Sequence, residues 1–133
     1  MILVICLDQR GGISFNHRRQ SKDRFLRQRL LELTGGKALW MNAYSARQFE
    51  EAAPNIRVAD DFAALAAEGE FCFAESPESL ELLPKAEELI VFRWDKVYPT
   101  DCRFSPETFG HLAEREEFEG HSHACITLER YVP

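Results

Sequence analysis

Short apolar runs of strand length alternate along this chain with helix-start signals, and that alternation restricts the architecture more than any other feature of the sequence. Residues 2–7, 37–42, 56–58, 70–74 and 89–95 are such runs, and a last one covers 124–131. Gly11-Gly12 permits a turn after the first run. Ser21 is placed to cap a helix reaching Leu33, whose apolar face is Phe25, Leu26, Leu30 and Leu33, and Gly35-Gly36 ends it. Ser45 followed by Gln48 makes a capping-box pattern, Asp60 caps 62–67, and Ser76-Pro77 opens a further helix with proline at its first position. Strand and helix in this rhythm predict a single α/β domain over residues 1–133, with a mostly parallel sheet covered by helices on both faces. The stretch between the last two runs is polar and acidic, so the chain is expected to close with an antiparallel hairpin carrying a folded-over loop.

A chain of 133 residues, 45% hydrophobic and 29% charged, is long enough to bury about two thirds of its unfolded surface, so it needs no covalent staple. Its cysteines, Cys6, Cys72, Cys102 and Cys125, form no Cys-x-x-Cys pair, and three lie inside strand-like runs. That usage suits reduced, buried thiols in a cytoplasmic protein. Asp8-Gln9-Arg10 interrupts the first apolar run too early for a signal peptide or a membrane span, and it reads as a strand. Trp40, Phe71, Phe73, Phe92 and Trp94 fall in strand-like runs and read as core.

Charge is unevenly spread. Residues 1–50 hold nine Lys and Arg against four Asp and Glu, net +5, whereas residues 51–133 hold seven against eighteen, net −11. Arg10, Arg18, Arg19, Lys22, Arg24, Arg27, Arg29 and Lys37 are opposed in their own stretch only by Asp23 and Glu32. Two readings are open: a solvated helix face, or a patch for a phosphate, a carboxylate or the acidic half of a second copy in a homo-oligomer. With a net charge of −6 the whole chain is a poor duplex binder, and nucleic acid is not the expected partner.

The last third adds a more specific signal. Residues 84–95 read Pro-Lys-Ala-Glu-Glu-Leu-Ile-Val-Phe-Arg-Trp-Asp, then come Asp101, Phe104 and Glu117-Phe118, and residues 120–130 read Gly-His-Ser-His-Ala-Cys-Ile-Thr-Leu-Glu-Arg. That order resembles the carboxy-terminal hairpin of bacterial dihydrofolate reductases. Upstream, Gly12-Ile13 and Asn16 stand where that family has a glycine-containing mobile loop, and Asp23 stands near its pterin-binding acid. Residues 37–45 resemble its Lys-x-x-x-Met strand leading into a hydroxyl-capped helix. The resemblance implies a dihydrofolate reductase-like fold, trimmed between Pro54 and Glu70, where the chain is too short for all the family's central strands and its substrate-binding helix.

Against the same resemblance, the cofactor-holding residues differ. The family's glycine, arginine and histidine before the helix cap are replaced by Asn42, Ala43 and Tyr44, and its glycine run after the fourth strand by Phe73-Ala74-Glu75-Ser76-Pro77, which sets a carboxylate where a phosphate would lie. Phe92 stands for the threonine that supports the pterin acid, and Arg18-Arg19-Gln20 for the Pro-Trp before it. The expectation is a domain without NADPH or any other cofactor, binding a small anionic or heteroaromatic ligand through Asn16, Arg18, Arg19, Asn42 and Ser45. Asp23 is its candidate catalytic acid, either a proton-sharing carboxyl raised by an apolar cleft or a first-turn acid matched to the helix dipole. A reductase holding its cofactor differently is the second reading. A third is a nucleic-acid-processing enzyme, since the chain also resembles short bacterial proteins labelled ribonuclease Z. His121 and His123 are two apart and would share a strand face, but Ala124-Cys125 follows them in place of that enzyme's Asp-His, and with no third ligand no metal is expected.

Overall fold

A computed structural model describes the protein over residues 1–133. In chain order its first half holds β1 (Ile2–Leu7), β2 (Gly12–Phe15), β3 (Arg18–Arg19), α1 (Arg24–Thr34), β4 (Leu39–Met41), α2 (Ala43–Ala46) and β5 (Ile56–Val58). Then come α3 (Phe62–Leu65), β6 (Phe71–Phe73), a 3-10 segment (Pro77–Lys85), β7 (Glu88–Trp94), β8 (Cys102–Arg103), a short 3-10 turn (Pro106–Thr108), β9 (His111–Phe118) and β10 (Ile126–Val132). Seven strands form one sheet in the order β5-β4-β6-β1-β7-β10-β9, with β2, β3 and β8 in a separate small sheet. The pairs from β5 to β7 are parallel, and β10 runs antiparallel to both β7 and β9. The α/β class, the parallel sheet and the closing hairpin agree with the sequence reading.

The apolar runs are continuous because both faces of the central strands are covered. On β1, Val4 packs on one side with Leu26 and Leu30 of α1 and with Phe73, Phe92 and Trp94, while Leu3, Ile5 and Leu7 pack on the other with Cys72, Leu89, Val91 and Tyr131. Leu3, Val4, Ile5 and Leu7 are fully buried, and each such side chain contributes roughly 1.5 to 3 kcal/mol. The four cysteines are free thiols, and no helix is long and apolar enough to cross a membrane.

Several local expectations change. Asp23, not Ser21, caps α1, and the helix ends one residue past Leu33 with Gly35 in the left-handed conformation at φ 56°. Asn42, not Ser45, caps α2, and its side chain accepts from the Ser45 amide at 2.9 Å. Asp61 rather than Asp60 precedes α3, without a side-chain cap. The helix expected after Ser76-Pro77 winds as 3-10 turns with Pro84 inside, where a missing N–H cannot sustain an α-helical ladder. The acidic stretch is not a folded-over loop along its whole length: His111–Phe118 is the edge strand β9. All but its last residue are exposed, so neither alternation nor an apolar run marks it. The β2–β3 hairpin is a further element, turned by Asn16 and His17 at φ 52° and 60°, the pair of positive angles a tight hairpin of matching twist requires.

Strands β4, β6, β1 and β7 lead at their carboxy-terminal ends into Asn42, Glu75, Asp8 and Asp95. The chain order reverses beside β1, and in open α/β sheets ligands bind at such a reversal.

Candidate functional site

Three carboxylates organise that end of the sheet, each filled by donors of this chain. Asp8, fully buried at the end of β1, accepts from the amides of Arg10 and Gly12, both at 2.8 Å, from the Tyr98 amide at 3.1 Å and from Gln20 Nε2 at 3.0 Å. Burial pushes its carboxyl up, but those hydrogen bonds outweigh it and hold the group below its ordinary value. Only glycine fits at position 12, because a Cβ there would stand 2.6 Å from Asp8 Oδ2 and 2.7 Å from Gln20 Nε2. The small sheet and the loop carrying Tyr98 are thereby fastened to β1.

Asp23 is the second. One oxygen accepts from the amides of Phe25 (2.8 Å), Leu26 (3.3 Å) and His121 (3.0 Å), and the other from the amide of Ser122 (2.8 Å) and from His123 Nδ1 (2.9 Å). The first two bonds cap α1 and the others seize the loop before β10. Burial raises the carboxyl, yet the His123, His121, Ser122 and Phe25 bonds together lower it to about 2, so it is ionised and not raised as an apolar cleft would make it. The ionised carboxylate accepts from Nδ1–H, and in the neutral imidazole Nε2 is then the acceptor, 2.9 Å from Ser21 Oγ and 3.1 Å from the Tyr98 hydroxyl. The imidazole stacks on Trp94, centroids 4.5 Å apart. Gly120 makes this approach possible, since a Cβ there would lie 2.9 Å from Asp23 Oδ2 and 2.7 Å from the His123 carbonyl oxygen. The two histidines therefore lie in a loop and not on a strand: His123 is buried, and His121 is exposed with its ring edge-on to Phe25 at 5.3 Å.

Glu75 is the third. Its Oε1 accepts from Ser45 Oγ (2.8 Å), Gln48 Nε2 (3.0 Å) and Arg19 Nη2 (3.2 Å), and its Oε2 from Arg19 Nε (2.9 Å). The Arg19 guanidinium lies over the Tyr44 ring, 4.1 Å from its centroid, and also donates to the Tyr44 carbonyl. Burial, and after it the Glu75 carboxylate, push the neighbouring Cys6 thiol well above its ordinary range, which keeps it protonated and unreactive.

Of the residues singled out in the sequence, Arg19 and Ser45 thus meet on Glu75, with Asn42 one turn away as the cap of α2. Asn16 and Arg18 line an open pocket of about 280 Å³, with Phe15, Gln20, Tyr98, Pro99 and the same Arg19. Asp23 does not line it but reaches its edge through His123 and Tyr98. Phe92 is fully buried and edge-on to Phe118. The basic stretch divides: Arg19, Arg27 and Arg29 pair with Glu75, Glu51 and Glu116 of the acidic half, whereas Arg18, Lys22 and Arg24 are exposed without an ion-pair partner. A larger recess of about 360 Å³ is walled by Asp60, Asp61 and Glu78 against Lys85 and shares no residue with the cluster above. Glu75 was visible in the sequence as an intruder among expected glycines. The Ser21, Tyr98 and Gly120 contacts were not, because they join segments separated by as many as 102 residues.

No family model and no curated protein matches the sequence. Among solved structures the chain is similar to the dihydrofolate reductase of Enterococcus faecalis, described as complexed with NADP(H) and RAB-propyl. The TM-score is 0.66 and the identity 12%, over 98% of this chain and 94% of that one. The likeness establishes a dihydrofolate reductase-like fold.

Proposed function

We propose that this domain is a binding module for a small anionic ligand, seated in the pocket of Asn16, Arg18 and Tyr98, and that it does not hold NADP(H) as the similar reductase does. The observation that carries the reading is Glu75: this chain's own carboxylate takes up the donors of Ser45, Gln48 and Arg19 that an incoming phosphate would need. A phosphate brought there would face a carboxylate instead of free donors, at a cost of several kcal/mol for unpaired charge. What stays open is small. A recess of about 280 Å³ lies at the lower edge of the roughly 300 to 1,000 Å³ typical of ligand sites, so it suits a compact anion rather than a dinucleotide. Arg18 supplies an unpaired guanidinium, and the half-exposed Phe15 ring beside it can cover an apolar or heteroaromatic body.

A thermal-shift panel of succinate, citrate, inorganic phosphate, folate and nucleoside monophosphates tests this. At a hundredfold excess over Kd a ligand of the native state adds about 2.7 kcal/mol of stability. At least one small anion is expected to raise Tm, and Arg18→Glu to abolish the shift. A panel with no hit, or a hit indifferent to Arg18→Glu, contradicts the reading.

A further inference from the structure

The hydrogen-bond chain from Asp23 through His123 to Ser21 exceeds what a helix cap requires. Five donors converge on Asp23, and the amides of Phe25, Leu26, His121 and Ser122 already satisfy the carboxylate and tie the loop down. The imidazole is additional, and it is held rigidly: Trp94 fixes its plane, and Asp23 Oδ2, itself held by the Ser122 amide, fixes its Nδ1–H. In the neutral imidazole, Nε2 faces two hydroxyl groups, that of Tyr98 at 3.1 Å and, nearer at 2.9 Å, that of Ser21, on a partly exposed loop between β3 and α1. A serine hydroxyl, an imidazole acceptor and a buried ionised carboxylate within hydrogen-bond reach of one another are the parts of an activated serine nucleophile, recognised by geometry and not by order in the chain. Neither Ser21 nor His123 lines the open pocket, but both adjoin its wall: Tyr98, whose hydroxyl lies 3.1 Å from Nε2, and Gln20, next to Ser21 in the chain, are lining residues.

We propose that Ser21 is a nucleophile, His123 its general base and Asp23 the group that orients the base, and that the domain hydrolyses esters whose acyl part carries a negative charge. The anionic preference rests on the Arg18 pocket of the proposed function; the nucleophile does not. In the first step Ser21 Oγ bonds to the acyl carbon while its proton passes to His123 Nε2. The tetrahedral adduct expels the alkoxide, which takes that proton and leaves as an alcohol. Water then attacks the acyl-serine, giving one proton to Nε2 and its hydroxyl to the acyl carbon. The Ser21 oxygen departs with the proton from Nε2, so one ester and one water become one acid and one alcohol. Arg18 and Asn16, on the pocket wall, hold the distal anion of the acyl group.

The test compares 4-nitrophenyl hydrogen succinate with 4-nitrophenyl acetate on the purified protein, together with labelling by an alkyl fluorophosphonate read by peptide mass. Turnover above the buffer background is expected, with a kcat/KM for the succinate ester roughly 5-fold above that for the acetate, the effect of one exposed ion pair. Ser21→Ala is expected to lower kcat/KM at least about 100-fold, the usual worth of a positioned base acting on its nucleophile, at an unchanged melting temperature, and the phosphonate adduct to map to Ser21. His123→Ala also removes the stacking on Trp94, so Ser21→Ala carries the decision. Hydrolysis at the wild-type rate in Ser21→Ala, no turnover above background, or an adduct on another residue overturns the proposal. Turnover that depends on Ser21 but shows the same ester preference in Arg18→Glu overturns the anionic substrate class and leaves the nucleophile standing.

Discussion

Arg19 and Glu75 form a two-point ion pair, Nε to Oε2 at 2.9 Å and Nη2 to Oε1 at 3.2 Å. Arg19 belongs to the small sheet and Glu75 follows β6 of the large one, so the pair ties the two sheets together at the site. Its side chains are 20% and 7% exposed, enough burial for a broken pair to be costly and enough exposure to soften the cost.

Glu75→Ala is therefore expected to lower stability by about 2 kcal/mol, below the roughly 3 to 5 kcal/mol of a fully buried pair. It also frees the donors of Arg19, Ser45 and Gln48. Inorganic phosphate should then raise the melting temperature of the variant more than that of the wild type. Equal shifts in the two proteins would show that Glu75 does not stand in an anion site.

Asp23 sets a pH dependence whose sign follows from its lowered carboxyl. A folded-state value of about 2 against an ordinary 3.8 means that its contribution is fully present above pH 4 and is lost as pH falls toward 2. The shift corresponds to about 2 kcal/mol. Urea unfolding between pH 5 and 2 should show this loss, and Asp23→Asn should be less stable at pH 5 with a flatter acid limb. An unchanged acid limb in the variant would contradict the assignment.

Gly120 admits no side chain without moving either the His123 carbonyl, 2.7 Å from a Cβ placed there, or the Asp23 carboxylate at 2.9 Å. Gly120→Ala should cost about 1 to 3 kcal/mol, the range of overpacked interiors, measured by chemical denaturation. A cost within about 0.5 kcal/mol would mean that the loop is not held as described.

What the sequence revealed and concealed divides along range. The sheet strands were legible because β1, β6 and β7 are buried on both faces and read as unbroken apolar runs. β9 was hidden because its exposed faces impose no pattern, and the β2–β3 hairpin because Asn16-His17 lacks the glycine that usually marks such a turn. Asp23, Arg19 and Ser45 were legible as chemistry but not as a constellation. Helix caps also slipped, from Ser21 to Asp23 and from Ser45 to Asn42, because several capping residues stand within three positions of each other and tertiary contacts choose among them.

The basic stretch gives a stability test of the same point. Arg27 is almost wholly buried and pairs with Glu51 at 3.1 Å, while Arg18 is exposed and unpaired. Arg27→Glu should destabilise the domain by several kcal/mol, because it sets a carboxylate against Glu51 in a poorly solvated site. Arg18→Glu should stay within about 0.5 kcal/mol of the wild type. Equal effects in thermal melts would mean that the charge asymmetry is not divided as the ion pairs indicate.

The most direct measurement for the central claim is calorimetric titration of the wild-type protein with NADPH. With Glu75 holding Arg19, Ser45 and Gln48, binding no tighter than about 1 mM, or about −4 kcal/mol, is expected. Saturable binding at micromolar concentration would contradict the claim and return the domain to the reductases whose fold it shares.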